Sequence, residues 1–396
     1  MFCNRWVPLL VVALLFAGAA ALDGQAQNQL LPVRVQLPEP LSRNDATIPV
    51  SFRTNPEAGQ TLLQTSERFA DEVFVMMPPE ARREVTVLSL LPPQQLEGQE
   101  TPAFTFEQRR SDGRLWLMDE EGPVLAYNME EQLPEGVPED RKRACYIHPI
   151  YGLDGEVLTD DFPDDHYHHR GLFFAWPEVF YEGERYDIWH LDDIRPRFDA
   201  VLYQETGPVC ALFGIRNSWV INGETPIIEE TVHVTVWQDD DKGRAIDVRL
   251  ELRALEQPVT LGGEVNKGYG GFNLRYGPRP ESFITTPDGL REEDSLHARF
   301  AWADLSAQFE GRDQRSGMTV IPHPSNLDYP PEYILRHYGF VGSNWPAMRS
   351  HTLHPEDPPV VMQHRVWVHR HGAEDGGVEQ AAQHYIEPPC VALSPR

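Results

Sequence analysis

Short runs that alternate apolar and polar residues predict β-strands along most of this chain. Residues 231–237 (TVHVTVW), 245–252 (AIDVRLEL) and 365–369 (RVWVH) carry apolar side chains at every second position. This period of two is typical of strands that are buried on one face. Patterns of amphipathic helices are scarce, with residues 378–385 a candidate for one short helix. The pattern therefore predicts an all-β fold of antiparallel sheets.

Two units are expected within this fold. A run rich in proline and glutamine at residues 92–99 (PPQQLEGQ) suggests a boundary between them. Residues 28–98 would form a small amino-terminal β-sandwich domain. Residues 99–390 would form one large antiparallel β-sandwich, which would carry the functional site.

The first 21 residues have the features of a secretory signal peptide. Arg5 supplies a positive charge, residues 7–21 are apolar, and three alanines at 19–21 match the small residues that precede a cleavage site. We therefore predict an exported protein, periplasmic or extracellular, with no membrane insertion after cleavage at residue 21 or 26. A retained, uncleaved anchor is the alternative.

The chain is strongly acidic, with a formal net charge of -27. An acidic surface repels the phosphates of nucleic acids and of anionic membranes, so neither is expected as a partner. An uncharged ligand such as a neutral carbohydrate is compatible with this charge.

The segment 164–171 (DDHYHHRG) places three imidazoles, two carboxylates and one guanidinium directly before an apolar run. Three interpretations are open. On a strand, His166 and His168 would point the same way and could bind a divalent metal together with a ligand from elsewhere. His168, His169 and Arg170 could instead donate hydrogen bonds to a polar substrate. The cluster could also be a structural network. No cofactor is predicted, although a divalent metal is possible.

Two further segments supply candidate substrate contacts. Trp189 and His190 combine a ring that can stack on a sugar with an imidazole that can reach a hydroxyl, unless the tryptophan is a core residue. In the glycine-rich segment 267–275 (KGYGGFNLR), Lys267, Tyr269 and Arg275 could contact substrate oxygens. The structural alternative for this segment is a hairpin with a bulge.

The predicted strand 229–237 offers the carboxylate candidates. Glu230 shares one face with three valines, whereas Glu229 and His233 share the other. If the valines fill the core, the second face is either solvated or lines a cleft. The loop 323–326 (HPSN) adds His323 and Asn326, although turn chemistry alone accounts for such residues.

Five segments occur together, in the same order, in one family of exported bacterial proteins. This chain resembles the domain-of-unknown-function family 6807 over roughly residues 100–390. The family also carries a methane-oxygenase label, but an oxygenase subunit of that type spans the membrane several times, and the sequence suggests no such spans. The segments that carry the resemblance are 146–156 (YIHPIYGLDGE), 168–176 (HHRGLFFAW), 267–272 (KGYGGF), 323–326 (HPSN) and 364–369 (HRVWVH).

The resemblance implies a β-supersandwich of the galactose-mutarotase type and a role in polysaccharide degradation. In that superfamily, a concave sheet face holds the sugar with histidine, arginine, asparagine and carboxylate side chains. We expect several of the matching residues to converge on one cleft. The positions of this chain that match the motifs are His168, His169, Arg170, Lys267, Tyr269, His323 and Asn326.

The leading hypothesis is an exported carbohydrate-active enzyme, expected to be a glycoside hydrolase that acts on a neutral glycan. Such chemistry needs groups that give and take protons near neutral pH. The alternatives are a non-catalytic carbohydrate-binding or cell-surface protein, and a metal-dependent lyase or oxidase that uses the histidine cluster. The candidate catalytic residues are Glu229, Glu230, His169 and His190, with Asp165 or Asp187 as a second acid if carboxylates are paired.

Overall fold

The computed structural model describes residues 31–36, 52–53, 60–61, 63–66, 68, 72–77, 86–89, 102–109, 111–388 and 391–394. The predicted signal peptide and the predicted boundary at 92–99 lie outside these residues, so both stay predictions. The described part of the chain is built of strands, with one short α-helix and one short 3-10 helix. The all-β prediction is therefore confirmed. No helix among the described residues is long and apolar enough to cross a membrane.

The described residues before position 90 form short strands. Three of these strands form a small sheet, in which β5 lies in the middle and pairs antiparallel with both β1 and β4. The strands of this part are β1 (Leu31–Gln36), β2 (Phe52–Arg53), β3 (Gln60–Thr61), β4 (Leu63–Thr65), β5 (Glu72–Met77) and β6 (Thr86–Ser89).

The first half of the large unit contains ten strands and a 3-10 helix at Glu139–Arg141. The longest of these strands are β14 and β16, with 13 residues each. The ten strands are β7 (Thr105–Arg109), β8 (Arg114–Met118), β9 (Pro123–Asn128), β10 (Tyr146–Ile150), β11 (Leu172–Ala175), β12 (Glu178–Tyr181), β13 (Glu184–Tyr186), β14 (Ile194–Thr206), β15 (Cys210–Ile221) and β16 (Thr225–Trp237).

The second half adds the remaining strands and the helix. The helix α1 occupies the segment in which the sequence predicts one. The elements are β17 (Gly243–Ala254), β18 (Val259–Gly262), β19 (Gly271–Arg275), β20 (Phe283–Thr286), β21 (Gly289–Arg291), β22 (Ser295–Arg299), β23 (Ala303–Ala307), β24 (Ser316–Pro322), β25 (Glu332–Arg336), β26 (Phe340–Asn344), β27 (Ser350–Leu353), β28 (Val360–Arg370), α1 (Val378–Ile386) and β29 (Val391–Ser394).

Two nine-stranded antiparallel sheets share one hydrophobic core. The first sheet has the order β22-β25-β26-β19-β11-β10-β9-β8-β7, and the second has the order β14-β15-β16-β17-β28-β24-β23-β20-β21. A four-stranded sheet, β13-β12-β18-β27, completes the large unit. This is the large antiparallel β-sandwich that the sequence predicts.

The alternation along β16 sets what lies inside the sandwich. Val232, Val234 and Val236 are buried in the core between the sheets, as the pattern predicts. Part of the opposite face is also covered, because Trp237 packs against Phe74 of β5 with ring centroids 5.7 Å apart. Next to this contact, His233 lines a cleft of about 500 Å³. The second face of β16 therefore lines a cleft rather than being uniformly solvated.

Candidate functional site

Four histidines converge at the surface where the β10–β11 connection meets the turn after β13; we call them the imidazole face. They are His166, His168, His169 and His190. Two successive turns shape the first three: the His166 N–H donates to the Pro163 carbonyl at 2.9 Å, and the His169 N–H donates to the His166 carbonyl at 2.8 Å. His166 and His168 thus lie in turns and not on a strand, so the strand geometry assumed for a metal site is wrong.

The four rings of the imidazole face form a continuous contact chain. His166 stacks on His169 with centroids 4.5 Å apart and 1° between the planes. His168 meets His169 edge-on at 4.6 Å and lies 4.6 Å from His190. Stacked and edge-on rings do not aim their nitrogen lone pairs at a common point. Among the described residues, no group of three or more histidine, cysteine or acidic side chains is arranged to hold a metal ion.

Aromatic side chains support these imidazoles from beneath and beside. Phe340 stacks under His169 at 4.6 Å, and Tyr338 stacks on His166 at 5.0 Å. Trp189 contacts both His169, at 5.9 Å, and Tyr269, at 4.6 Å. Since His169 and Trp189 are each only 3% exposed, they form an inner layer. The half-buried His166, His168 and His190 form the outer layer that a ligand can touch.

Carboxylates fix both ends of the imidazole face. One Asp187 oxygen accepts a hydrogen bond from His190 Nδ1 at 2.8 Å, and the other accepts the backbone N–H groups of Trp189 and His190 at 2.9 and 2.8 Å. A carboxylate at Nδ1 favours the tautomer with its proton there, which leaves His190 Nε2 for other partners. At the other end, Asp165 lies 3.0 Å from His166 Nδ1.

His168 and His169 are uncharged at neutral pH. Burial, together with the neighbouring His190, lowers the pKa of His168 to about 3. Burial and the adjacent His168 also hold the pKa of His169 well below its usual value of 6.5. A neutral imidazole offers one N–H donor and one lone pair. The face therefore presents uncharged rings that can both donate to and accept from hydroxyl groups.

A cavity of about 650 Å³ adjoins the imidazole face; we call it the Arg275 cavity. Arg275 is 5% exposed and donates from Nη2 to Asp165 at 2.8 Å. Tyr338 packs on its guanidinium, with the ring centroid 4.9 Å from Cζ. The residues that matter most in its lining are Asp160, Asp165, Arg275, Arg279, His337 and Tyr338. The cavity thus continues the face through the shared residues Asp165 and Tyr338.

Arg170 lies inside this region and does not face a ligand. Its guanidinium is fully buried and donates to the carbonyls of Tyr167 at 2.7 Å, His169 at 2.6 Å and Arg141. It also packs on the Phe162 ring, 3.4 Å from the centroid. Because Nη1 and Nη2 are bonded to these backbone carbonyls, Arg170 holds the histidine segment in shape. The prediction that Arg170 contacts the substrate is therefore wrong.

The two glutamates of β16 do not belong to the imidazole face. Glu230 is 2% exposed in the core and accepts hydrogen bonds from Asn217 at 2.8 Å and Trp219 at 2.9 Å. Burial raises its pKa. Glu229 lies on the opposite side of the strand, in register with Ser218 and Arg253 of the neighbouring strands. Alternation thus separates the pair. Glu230 lies in the core, which corrects its prediction as a catalytic carboxylate, whereas a catalytic role for Glu229 stays a prediction.

His323 lines the second cleft together with His233, and Asn326 lies in the turn that follows His323. Asn326 exchanges two hydrogen bonds with the backbone of Gln363, at 2.8 and 2.7 Å, and His323 Nδ1 bonds Ser325 at 2.7 Å. These contacts are those of a structured turn. The expected convergence on one cleft is therefore incomplete. Lys267 is exposed in the loop that carries Tyr269, beside the face.

The sequence reasoning missed three residues of the site: Asp160, Tyr338 and Phe340. Tyr338 and Phe340 belong to the hairpin between β25 and β26, far along the chain from the histidines. The segment 337–340 (HYGF) carries an imidazole and two aromatic rings around a glycine, which is the signal that could have drawn attention to it. Asp160 lies in the same β10–β11 connection as the histidines but outside their cluster.

Comparisons with solved structures find likenesses at low sequence identity. The chain is similar to a GH36 alpha-galactosidase from Geobacillus stearothermophilus in complex with raffinose, at 11% identity and a TM-score of 0.35, with 71% of this chain and 41% of that one covered. It thus spans about two fifths of that relative. A galactose mutarotase related enzyme from Lactobacillus acidophilus matches at 8% identity and a TM-score of 0.35, covering 68% of this chain and 97% of that one.

A third structure, a GalM/aldose epimerase homologue from C. elegans, matches at 9% identity and a TM-score of 0.29, with 69% of this chain and all of that one covered. Likenesses this weak transfer neither a substrate nor a site. No curated protein sequence matches the chain. The model of the family of unknown function DUF6807 matches residues 115–383, which is well over half of the sequence, and the chain belongs to that family.

Proposed function

We propose that this protein is an exported carbohydrate-active enzyme that binds a neutral glycan on the imidazole face and hydrolyses it. The observation that carries the proposal is the pair of uncharged imidazoles, His168 and His169, set among stacked aromatic rings. A sugar presents apolar C–H faces together with hydroxyls that both donate and accept hydrogen bonds. Aromatic rings suit the first feature, and neutral imidazoles suit the second.

The charges around the face support an uncharged ligand. Asp165 is paired with Arg275 at 2.8 Å, and Asp187 is held by His190 at 2.8 Å and by two backbone N–H groups. Since each carboxylate already has partners, neither demands a cation from the ligand. An acidic glycan would also be repelled by a chain with a formal charge of -27.

His190 is the imidazole of the face best arranged for proton transfer. Asp187 orients it from Nδ1, as a general base is oriented by a third group. Its side chain is 36% exposed, and Nε2 is the ring nitrogen that is not bonded to Asp187. We assign His190 a role in proton exchange with a sugar hydroxyl, and we assign His168 and Tyr269 roles in holding the ring. Trp189 is a buried core residue that supports both of them from beneath.

A non-catalytic carbohydrate-binding protein is the second candidate. The observation that favours it is the low pKa of His168, about 3, because a group with that pKa is a poor general acid or base at neutral pH. A protein of this kind would keep the stacking and hydrogen-bonding contacts of the face and release no product.

Incubation with a panel of neutral and acidic glycans separates these functions. Binding and reducing-end product should both be measured for each glycan. We expect a neutral glycan to bind and to be cleaved. Binding without product would favour the second candidate, and binding of acidic glycans alone would contradict the proposed ligand class.

Export is tested separately by the mass of the mature amino terminus. Cleavage after residue 21 or 26 is the expected result, since residues 1–21 have the composition of a signal peptide. An intact Met1 on protein recovered from the exported fraction would contradict it.

A further inference from the structure

The guanidinium of Arg275 is buried with unused donors. Nη2 is bonded to Asp165 at 2.8 Å, but Nε and Nη1 have no hydrogen-bond acceptor among the described residues. A buried donor without a partner typically costs about 1–3 kcal/mol. Arg275 lines a cavity of about 650 Å³, which is large enough for a sugar unit.

The same guanidinium places two carboxyl groups beside the cavity. Asp165 Oδ1 lies 2.8 Å from Nη2, and Asp160 Oδ2 lies 3.9 Å from Nε. Because one guanidinium reaches both oxygen atoms, the distance between Asp165 Oδ1 and Asp160 Oδ2 stays below roughly 9.5 Å. That distance is the upper limit for the paired carboxyl groups of glycoside hydrolases. Both residues line the cavity.

The environments of the two carboxyl groups shift their pKa values in opposite directions. Burial raises the pKa of Asp160, more than the charge of Arg275 lowers it. Burial would also raise the pKa of Asp165, but the hydrogen bond with His166 and the charge of Arg275 outweigh it and lower that pKa. Neighbouring carboxyls whose pKa values are pushed apart are suited to serve as an acid and a base.

We infer that Asp160 and Asp165 are the acid and the base for hydrolysis of a neutral glycan in the Arg275 cavity, an inference that rests on the proposed function. The Asp160 carboxyl donates its proton to the glycosidic oxygen as the bond from that oxygen to the anomeric carbon breaks. The electron pair of the broken bond stays on the departing oxygen. Asp165 accepts a proton from water, whose oxygen forms the new bond to the anomeric carbon. One water is consumed for each bond cleaved, and exchange with solvent restores both carboxyls.

The arrangement divides the work within one continuous surface. The imidazole face holds one sugar ring, and the Arg275 cavity receives the next, with Tyr338 between them in contact with both His166 and Arg275. The scissile bond then lies between two neighbouring rings of a chain. The substrate class is accordingly a neutral glycan of at least two sugar units.

Three variants test the pair: Asp160→Asn, Asp165→Asn and the matched control Asp288→Asn. Asp288 is exposed and does not line the Arg275 cavity. Asparagine at 160 retains an oxygen that can accept the Asp161 N–H, a bond of 2.9 Å in the native protein. Melting temperatures and the dissociation constant for the cleaved glycan are measured alongside kcat and KM.

We expect kcat to fall by about 100-fold or more in Asp160→Asn and Asp165→Asn, with glycan affinity within threefold of the native value. The Asp288→Asn protein should retain native kcat. Hydrolysis at the native rate in either of the first two variants would overturn the pair and leave the proposed function standing. A native protein that binds neutral glycans and cleaves none would overturn the pair and favour the non-catalytic function. A native protein that binds no glycan would overturn both.

Discussion

The imidazole ring of His166 lies parallel to that of His169, with 4.5 Å between their centroids and 1° between their planes. His169 is 3% exposed, whereas the side chain of His166 is 34% exposed. Phe340 also stacks on His169, at 4.6 Å. The buried ring thus sets the position of the exposed one, and the two histidines have different roles despite their identical chemistry.

The division into a buried inner layer and a half-buried outer layer predicts different losses of stability for two alanine variants. His169→Ala removes a buried ring and should lower the free energy of unfolding by about 1–3 kcal/mol while also weakening glycan binding. His168→Ala removes a half-buried ring and should weaken binding with less than half that loss of stability. Urea unfolding and isothermal titration calorimetry measure both quantities. Equal destabilisation by the two variants would contradict the assignment of inner and outer layers.

The contact between Asp187 and His190 predicts the effect of Asp187→Asn. The amide oxygen can still accept the two backbone N–H groups, so the fold should persist. The amide nitrogen would face Nδ1 and move the imidazole proton to Nε2, which should slow hydrolysis at least tenfold. Nitrogen chemical shifts of His190 report the tautomer, and exposed Asp192→Asn in the same turn is the control. An unchanged tautomer in the Asp187→Asn protein would argue against this role.

Gly171 allows the histidine segment to approach β10 closely. A Cβ at this position would lie 2.4 Å from the Ile147 carbonyl oxygen and 2.9 Å from His148 Cβ. Gly171→Ala should therefore destabilise the protein by about 1–3 kcal/mol. At Gly372, the nearest atom to an added Cβ would be at an ordinary 3.7 Å. Gly372→Ala should change stability by no more than about 0.5 kcal/mol, and chemical denaturation compares the two.

The buried His364 should contribute to the pH dependence of the free energy of unfolding. It is 3% exposed and bonds Ser343 at 3.1 Å, and burial lowers its pKa to about 3. Its pKa in the unfolded chain is about 6.5, so the unfolded state binds more protons between roughly pH 3 and 6.5. Stability contributed by the neutral ring is therefore present above pH 6.5 and lost as the pH falls towards 3.

His364→Gln should remove this contribution. The slope of unfolding free energy against pH, measured by urea titration between pH 4 and 6, should decrease by up to about 1.4 kcal/mol per pH unit. Glutamine can still hydrogen-bond Ser343, which limits the loss of stability at neutral pH. A slope identical to that of the native protein would show that His364 does not take up a proton on unfolding.

Local sequence pattern accounts for the strands and for the core of the site. Alternation in β16 correctly predicts Val232, Val234 and Val236 in the core, and the density of histidines at 166–169 locates the imidazole face. The same alternation placed Glu230 among the valines, yet its interpretation as catalytic failed because a single strand does not reveal which polar partners, such as Asn217 and Trp219, will meet it.

Contacts between distant segments account for what the sequence could not predict. Tyr338 and Phe340 reach the histidines only because β26 pairs with β19, which in turn pairs with β11. His323 joins the second cleft for the same kind of reason, since β24 pairs with β28 and not with the strands of the first sheet that lie beside the face. Strand order is set by the packing of the whole sandwich, and a single sequence does not encode it in any short motif.

The central claim is that a neutral glycan binds on the imidazole face. It is tested most directly by the dissociation constant of that glycan at pH 7, measured for the native protein, His168→Ala and His323→Ala. The first variant alters the imidazole face, and the second alters the separate cleft that His323 lines together with His233. Binding at the face predicts at least tenfold weaker binding for His168→Ala, or about 1.4 kcal/mol, and less than twofold change for His323→Ala. Native affinity in His168→Ala, with binding lost in His323→Ala, would contradict it and place the glycan in the second cleft.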